Sequence, residues 1–347
     1  MRKILVLRGG ALGDFIVTLP ALALLRSRWP AARLELAGNA TAATLALDAR
    51  LIDAAHSQHE ARWSALFSRA PLPGDFGAWL AEFDLVVNYW PDPDGELRSH
   101  FPVHAGQTFL QGEAQPNLAP AASSYGEPLR ALGLATTEHF FPLTTETGAC
   151  VGGQRDMAHE SVGRRPLAGD SVARPPGDAA AIARKRAPTS NLSLRPPSPP
   201  HRIALHPGSG SPRKNWPLDR WAALCEWLGR EHHAELLVIT GEAESAAARA
   251  LGRFGTAAHT LPLRDLAAQL ASCGLFLGHD SGVSHLAAAC RVPSVLLFGP
   301  TDPAMWAPPA PHVRMLRRGD TTDAILLEEV QHEVAARINA RKNSPAP

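Results

Sequence analysis

Short apolar runs recur along the chain, and most of them stop at glycine or a small polar residue. Ile4–Leu7, Arg33–Ala37 and Asp84–Asn88 read as buried strands in the first part, and Ile203–Leu205, Leu236–Ile239, Leu275–Leu277 and Val295–Phe298 in the last. Between them apolar residues fall at helical spacing. Ile16, Leu19, Leu22 and Leu25 predict a helix ending near Pro30, and Trp221, Leu224, Cys225 and Leu228 form the inner face of another. Leu263–Leu270 is a short helix, and Leu327, Val330, Val334 and Ile338 mark one stripe of a terminal helix, expected to pack across two halves of the protein. Strands alternating with helices predict two α/β domains around a cleft.

From about Thr144 the pattern fails. Residues 147–201 hold Gly152-Gly153, Pro175-Pro176, Pro196-Pro197 and Pro199-Pro200, scattered arginines and few large apolar residues. A segment that buries so little cannot offset its ordering entropy, so it reads as a linker or disordered insertion, with Asp178–Arg186 a local helix inside it. The division is therefore 1–146, an amino-terminal domain; 147–201, the linker; and 202–347, a carboxyl-terminal domain. With 347 residues, each domain has room for its own core.

Composition narrows the classes. A formal charge of +1 gives no reason to expect nucleic acid as a partner. Four well-separated cysteines with no CxxC pair argue against a zinc ribbon or disulfide scaffold and fit a reducing compartment. No apolar stretch approaches a membrane span, and the expectation is a cytoplasmic protein.

Candidate chemistry collects where strands end. Leu275–Pro303 reads as strand, turn, helix, strand, with His279-Asp280-Ser281-Gly282 opening an alanine-rich helix. A helix N-terminus after a strand of an α/β sheet is a place for an anionic ligand, such as the diphosphate of a nucleotide. Three other loops follow strands in the same way: Gly9–Asp14, Gly208–Lys214 and Gly241–Glu244. Asp92-Pro93-Asp94 has the form of a metal-binding DxD, but turn chemistry in a Pro/Gly context explains it. The fifteen histidines contain no HExxH or zinc-like spacing.

Together the loops resemble glycosyltransferase family 9, the heptosyltransferases. Gly10-Ala11-Leu12-Gly13-Asp14 with Thr18-Leu19-Pro20-Ala21-Leu22 is similar to the family's amino-terminal signature. His206–Ser211 with Lys214-Asn215-Trp216-Pro217 resembles its donor-phosphate loop. Asp280–His285 and Gly299–Pro303 resemble the remaining donor-side motifs. The resemblance implies a GT-B fold of two Rossmann-like domains facing a central cleft. It also implies an inverting, metal-independent transfer from a nucleotide sugar, ADP-heptose in the best-known members, onto a lipopolysaccharide-core or other lipid-linked acceptor, with no cofactor. A peripheral contact with the inner membrane face follows from such an acceptor. The alternatives are a non-catalytic nucleotide-sugar-binding protein of the same form and a GT-B nucleotide-sugar epimerase.

The resemblance assigns Asp14 as the base that takes the acceptor proton; on the residues alone it reads as a plain N-cap. Lys214, Ser209 and Ser211 suit a diphosphate, and Ser281 and Gly282 can offer backbone N–H groups to it. Asp280 caps the helix or accepts from a sugar or ribose hydroxyl. His285 reaches the donor or packs within its helix, and Glu242 stands near the nucleoside or on the surface. Residues 90–125 carry no recognisable acceptor motif.

Overall fold

The computed structural model describes residues 1–135, 138–143 and 202–342. The expected linker 147–201, its helix at Asp178–Arg186 and the fourth cysteine, Cys150, lie outside the described residues. All described residues fall within one compact unit.

Two wholly parallel sheets organise this unit. The first contains β1 (Lys3–Arg8), β2 (Arg33–Gly38), β3 (Ala54–Ser57), β4 (Leu85–Asn88) and β5 (Thr108–Gln111), in the order β3-β2-β1-β4-β5. The second contains β6 (Arg202–Leu205), β7 (Glu235–Thr240), β8 (Thr256–His259), β9 (Leu275–His279), β10 (Ser294–Phe298) and β11 (Val313–Arg317), in the order β11-β10-β9-β6-β7-β8. This is the GT-B arrangement of two Rossmann-like sheets. In each, the first strand is paired on both sides, β1 by β2 and β4, and β6 by β7 and β9. The strand order reverses there, which opens a crevice at the carboxyl ends of the strands.

The strands that the apolar runs predict are the central ones. Ile4–Leu7 are fully buried, and Val6 faces Leu36 on one side and Val87 on the other. The strands with no such run are at or beside the sheet edges: Ala54–Ser57, Thr108–Gln111, Thr256–His259 and Val313–Arg317. Each has neighbours on fewer sides, so less of it is buried and its sequence need not be apolar. The helix expected from Ile16 to Pro30 is two: Leu12–Ile16 and Leu19–Arg28. Pro20 has no N–H to give the carbonyl of residue 16, so the first helix ends and a second begins with Pro20 in its first turn.

One apolar cluster runs through both halves. Phe15, Leu19 and Leu22 from the first and Phe276, Leu286 and Ala288 from the second belong to it. Polar contacts also join the halves: the Ala121 N–H donates to the Met305 carbonyl at 2.9 Å, and the Leu143 N–H to that of Ala289 at 2.8 Å. Each half has a second cluster on its outer face, around Trp63, Leu80 and Phe83 in one and Trp216, Trp221 and Leu228 in the other. The terminal helix, Leu327–Lys342, differs from expectation. Its stripe of Val330, Val334 and Ile338 is buried in the outer cluster of the carboxyl-terminal half, not across the two. The apolar side of the Leu218–His232 helix is there to receive it.

A buried histidine pins this outer layer to the sheet. His279 Nε2 accepts from the Trp216 N–H at 2.8 Å, so its Nδ1 carries the proton and donates to the Gly208 carbonyl at 3.3 Å. That neutral tautomer holds the loop after β6 on the end of β9. Burial depresses the His279 pKa to about 3, and burial also lowers those of His206 and His285.

The sign of the pH dependence follows. Between the folded value of about 3 and the ordinary value of 6.5, the unfolded chain takes a proton that folded His279 refuses. Stability should therefore fall as pH drops below about 6.5, with a limiting slope of about 1.4 kcal/mol per pH unit for each such histidine. Glu35 acts in the same direction at lower pH. Burial opposes its ionisation, but His56, Arg33 and Lys3 outweigh burial and hold its pKa at about 2. The stability it contributes is full above its unfolded value of 4.5 and is lost as pH falls towards about 2. Urea unfolding from about pH 7.5 to about pH 4.5 should show this decline, and His279→Gln, whose amide can donate and accept in the same places, should flatten it by about one proton. Equal slopes in the two proteins would remove His279 as a source of the acid sensitivity.

Candidate active site

The site starts from a charge at the end of an apolar strand. Arg8 closes β1 and is only 4% exposed. A buried guanidinium needs its N–H groups met. Arg8 donates to the Tyr125 hydroxyl at 2.8 Å, to Thr18 Oγ1 at 3.1 Å and to the Asp14 carbonyl at 3.3 Å. Its guanidinium also lies 4.5 Å over the Tyr125 ring. Tyr125 is held in turn, because the Tyr89 hydroxyl donates to its carbonyl. Burial pushes the pKa values of both tyrosines up, so each remains a neutral phenol.

Arg8 faces Asp14. Its guanidinium stands 3.5 Å from Asp14 Oδ1, while Oδ2 accepts the Ala11 N–H at 3.0 Å. The N-cap of the Leu12–Ile16 helix is Ala11, and Asp14 is the third helical residue reaching back, so the plain N-cap reading is corrected. Gly10 makes this possible. Its φ of +102° suits glycine, and a Cβ there would lie 2.8 Å from Asp14 Oδ2. One carboxylate oxygen is thus fixed by the backbone and the other faces a cation, with the side chain 28% exposed.

The turn carrying Asp14 presses against the helix Gly282–Ala289 of the other half. A Cβ on Gly282 would lie 2.9 Å from the Gly13 nitrogen and 2.9 Å from Leu12 Cβ. Only glycine permits this approach. Ser281 is the N-cap of that helix, its Oγ accepting the Ser284 N–H at 3.3 Å. The expectation that Asp280 caps it is therefore corrected.

A cavity of about 410 Å³ opens beside this contact, at the carboxyl ends of the strands of the second sheet. Ser209, Ser281 and Gly282 line it, with Leu12 from the first half. Ile239, Ala258, Leu266 and Val283 give it an apolar wall, and Thr240 and Glu244 add polar groups. This combination suits a flat heterocycle with a polar tail. Glu242 is exposed and does not line the cavity, whereas Glu244 does. Its carboxylate accepts the Gly241 N–H at 2.7 Å and packs so closely on Gly208 that a Cβ there would lie 2.3 Å from Glu244 Cγ. The capping pattern Gly241-x-x-Glu244 was the signal in the sequence. For Arg8 it was the charge ending the buried run Ile4–Leu7.

The remaining candidates take supporting places. Ser209 Oγ lies 2.7 Å from the Ser211 carbonyl and 2.6 Å from Asn215 Oδ1, and Ser211 caps the short turn Pro212–Lys214 without lining the cavity. Lys214 Nζ donates to Asp280 Oδ2 at 2.7 Å, so these two residues meet each other. His285 is buried within its helix, 5% exposed, and hydrogen-bonded to the Trp306 backbone. Burial lowers its pKa, although Asp280 and Asp14 both pull it up, which places it between the two carboxylates. Asp92 is a turn residue, as expected: its carboxylate accepts the Leu97 and Arg98 N–H groups at 3.0 Å and the Arg98 side chain at 3.1 Å. Among the described residues no three His, Cys, Asp or Glu side chains gather as a metal cage.

Comparison with known proteins finds a family similar to part of the chain and a fold similar to nearly all of it. Residues 169–333 match the model of glycosyltransferase family 9 (heptosyltransferase). Lipopolysaccharide heptosyltransferase 1 of Salmonella typhimurium is 32% identical over 111 residues, which are 31% of this chain and 35% of that protein. The matched segment thus spans about a third of that curated relative's length. Likeness of fold extends much further. A family 9 glycosyl transferase from Veillonella parvula superposes with a TM-score of 0.69 at 18% identity, covering 98% of each chain. The E. coli heptosyltransferase WaaC, solved with ADP, gives 0.62 at 16% identity, covering 96% of this chain and 99% of that one. The sequence of residues 169–333 is thus similar to glycosyltransferase family 9 (heptosyltransferase), and the fold of nearly the whole length is that of GT-B glycosyltransferases.

Proposed function

We propose that the protein is an inverting, metal-independent glycosyltransferase that moves a heptose from ADP-heptose onto a lipopolysaccharide-core or other lipid-linked acceptor. In this reading residues 1–146 hold the acceptor, residues 202–347 hold the nucleotide sugar, and residues 147–201 link them. The observation that carries it is the contact of Gly13 with Gly282, which sets the Asp14 carboxylate beside the helix N-terminus at the edge of the nucleotide-sized cavity. The heptosyltransferase relatives, one of them solved with ADP, supply the nucleotide and the sugar class.

The chemistry then runs as follows. The base stacks against Ile239, Ala258 and Leu266, and the diphosphate meets the amide groups that open the Gly282–Ala289 helix. Lys214, held by Asp280, has two further N–H groups for the same oxygens. An acceptor hydroxyl attacks the anomeric carbon from the side opposite the diphosphate. As that bond forms, the bond to the diphosphate oxygen breaks, and the hydroxyl proton passes to Asp14. Negative charge grows on the leaving diphosphate, where the helix N-terminus and Lys214 favour it over the ground state. Arg8 keeps the carboxylate aimed at the acceptor. Asp14 and its Arg8 anchor favour an enzyme over a binding protein that has lost turnover. A lipid-linked acceptor of this kind places the reaction at the inner face of the cytoplasmic membrane.

Asp14→Asn preserves the hydrogen bond to Ala11 but cannot take a proton. It should leave donor affinity, read by the thermal shift with ADP-heptose, within about twofold, and lower kcat by at least about 100-fold. A variant that turns over normally would end the assignment of the base.

The second prediction concerns the leaving group. In this reading Lys214 and the helix N-terminus meet the charge of the diphosphate, so excess EDTA should leave the rate within about twofold. Loss of activity that returns with an added divalent metal would show that the diphosphate needs one.

A further inference from the structure

A second cavity, of about 690 Å³, lies wholly in the amino-terminal half. It opens at the carboxyl ends of three strands: Gly9 follows β1, Gln58 follows β3, and Trp90 lies just beyond β4. None of its residues belongs to the motifs that mark the nucleotide side. Its volume is that of a small-molecule site.

Its chemistry is specific. Trp63 and Trp90 form a buried floor, their rings 5.3 Å apart and edge to face. The Trp63 indole N–H donates to the Ser57 carbonyl at 2.8 Å, which fixes that ring. Phe67 lies nearly parallel to Trp90, at 6.2 Å and 27°, and is 46% exposed. A phenylalanine so open, held in orientation by a tryptophan behind it, presents a flat apolar surface. Gln58 and Ser64 add an amide and a hydroxyl. Among the described residues no lysine or arginine lines the cavity, and His59 adds an imidazole. Its one carboxylate, Glu60, already accepts the Ser57 N–H at 2.8 Å and pairs with Arg62 at 2.8 Å. Arg62 itself lies over Trp63 and Trp79, outside the lining.

The cavity also adjoins the base. A Cβ on Gly9 would lie 3.0 Å from Gln58 Oε1 and 3.4 Å from Trp90 Nε1, and the neighbouring residue, Gly10, packs on Asp14. One glycine step thus separates the cavity lining from the residue that packs on Asp14.

We propose that this cavity binds the acceptor through an uncharged sugar ring, whose C–H face stacks on Phe67 and whose hydroxyls meet Gln58 and Ser64. A sugar ring has one face of C–H bonds and a rim of hydroxyls, which matches an aromatic plate edged by an amide and a hydroxyl. An anionic sugar would leave its carboxylate desolvated with no cation in the lining to meet it. This rests on the glycosyl-transfer reading for the role of the bound ring, and not for its binding.

The test uses the full-length protein without donor, at about pH 8. Calorimetric titration with methyl glycosides of glucose, galactose and a manno-configured heptose is set beside glucuronate and galacturonate. At least one neutral glycoside should bind, and the uronates more weakly or not at all. Phe67→Ala, a change at an exposed position that should leave the melting temperature unaltered, should weaken that binding about tenfold and raise the acceptor KM by a similar factor, leaving the donor KM unchanged. Tighter binding of a uronate, no binding of any neutral glycoside, or an unchanged affinity in Phe67→Ala would overturn the proposal. A thermal shift with ADP, measured separately, distinguishes the two readings. A nucleotide response without glycoside binding sinks this inference alone, whereas glycoside binding with no response to ADP or ADP-heptose removes the acceptor role.

Discussion

The site depends on how closely two backbones can approach. Where the Leu12–Ile16 helix meets the Gly282–Ala289 helix, Gly282 lies so near Gly13 and Leu12 that any side chain would force the halves apart. The small residues that follow, Ala287, Ala288 and Ala289, are fully buried and continue the close packing inward. The helix N-terminus belongs to one half of the chain and the carboxylate to the other, and the cavity beside Gly282 is lined by both. They become a single site because glycine and alanine leave room for the halves to share an apolar core.

That approach would be of little use without a fixed carboxylate, and fixing it has an electrostatic cost. Arg8 is taken out of water at the end of an apolar strand, where an unmet guanidinium would cost several kcal/mol. The chain meets it with Tyr125, Thr18, the Asp14 carbonyl and the Asp14 carboxylate. Tyr125 is more than a hundred residues away in sequence and is held by Tyr89 at the end of β4. The same logic pairs Lys214 with Asp280 and His279 with Trp216 and Gly208. These polar groups are oriented by partners from different loops, so the loops hold one another in place.

The two cavities have different chemistry. The one beside Gly282 has amide groups, hydroxyls and an apolar slot, and suits a nucleotide diphosphate. The one beside Gly9 has aromatic rings, an amide and a hydroxyl, with no cation in its lining. Asp14 stands between them on its short turn. A base in that position can take a proton from a hydroxyl on one side as a bond breaks on the other.

The sequence by itself determined the central strands, the helices with a clear apolar stripe, and the loops that carry the donor motifs. These are the features written locally, since a buried strand must be apolar and a phosphate loop must be small and flexible. It did not reveal the edge strands, because an edge such as Thr256–His259 is half exposed and needs no apolar run. The capping pattern Gly241-x-x-Glu244 hinted at Glu244, but tertiary structure decided that it and not Glu242 lines the cavity beside Gly282, and that Lys214 and Asp280 are partners. It also decided that the terminal helix packs within one half and that Trp63, Phe67 and Trp90 enclose a common space. The reason is the same in each case. These relations join residues far apart in the chain, and only the packing of one sheet on its helices, and of one half on the other, brings them within reach.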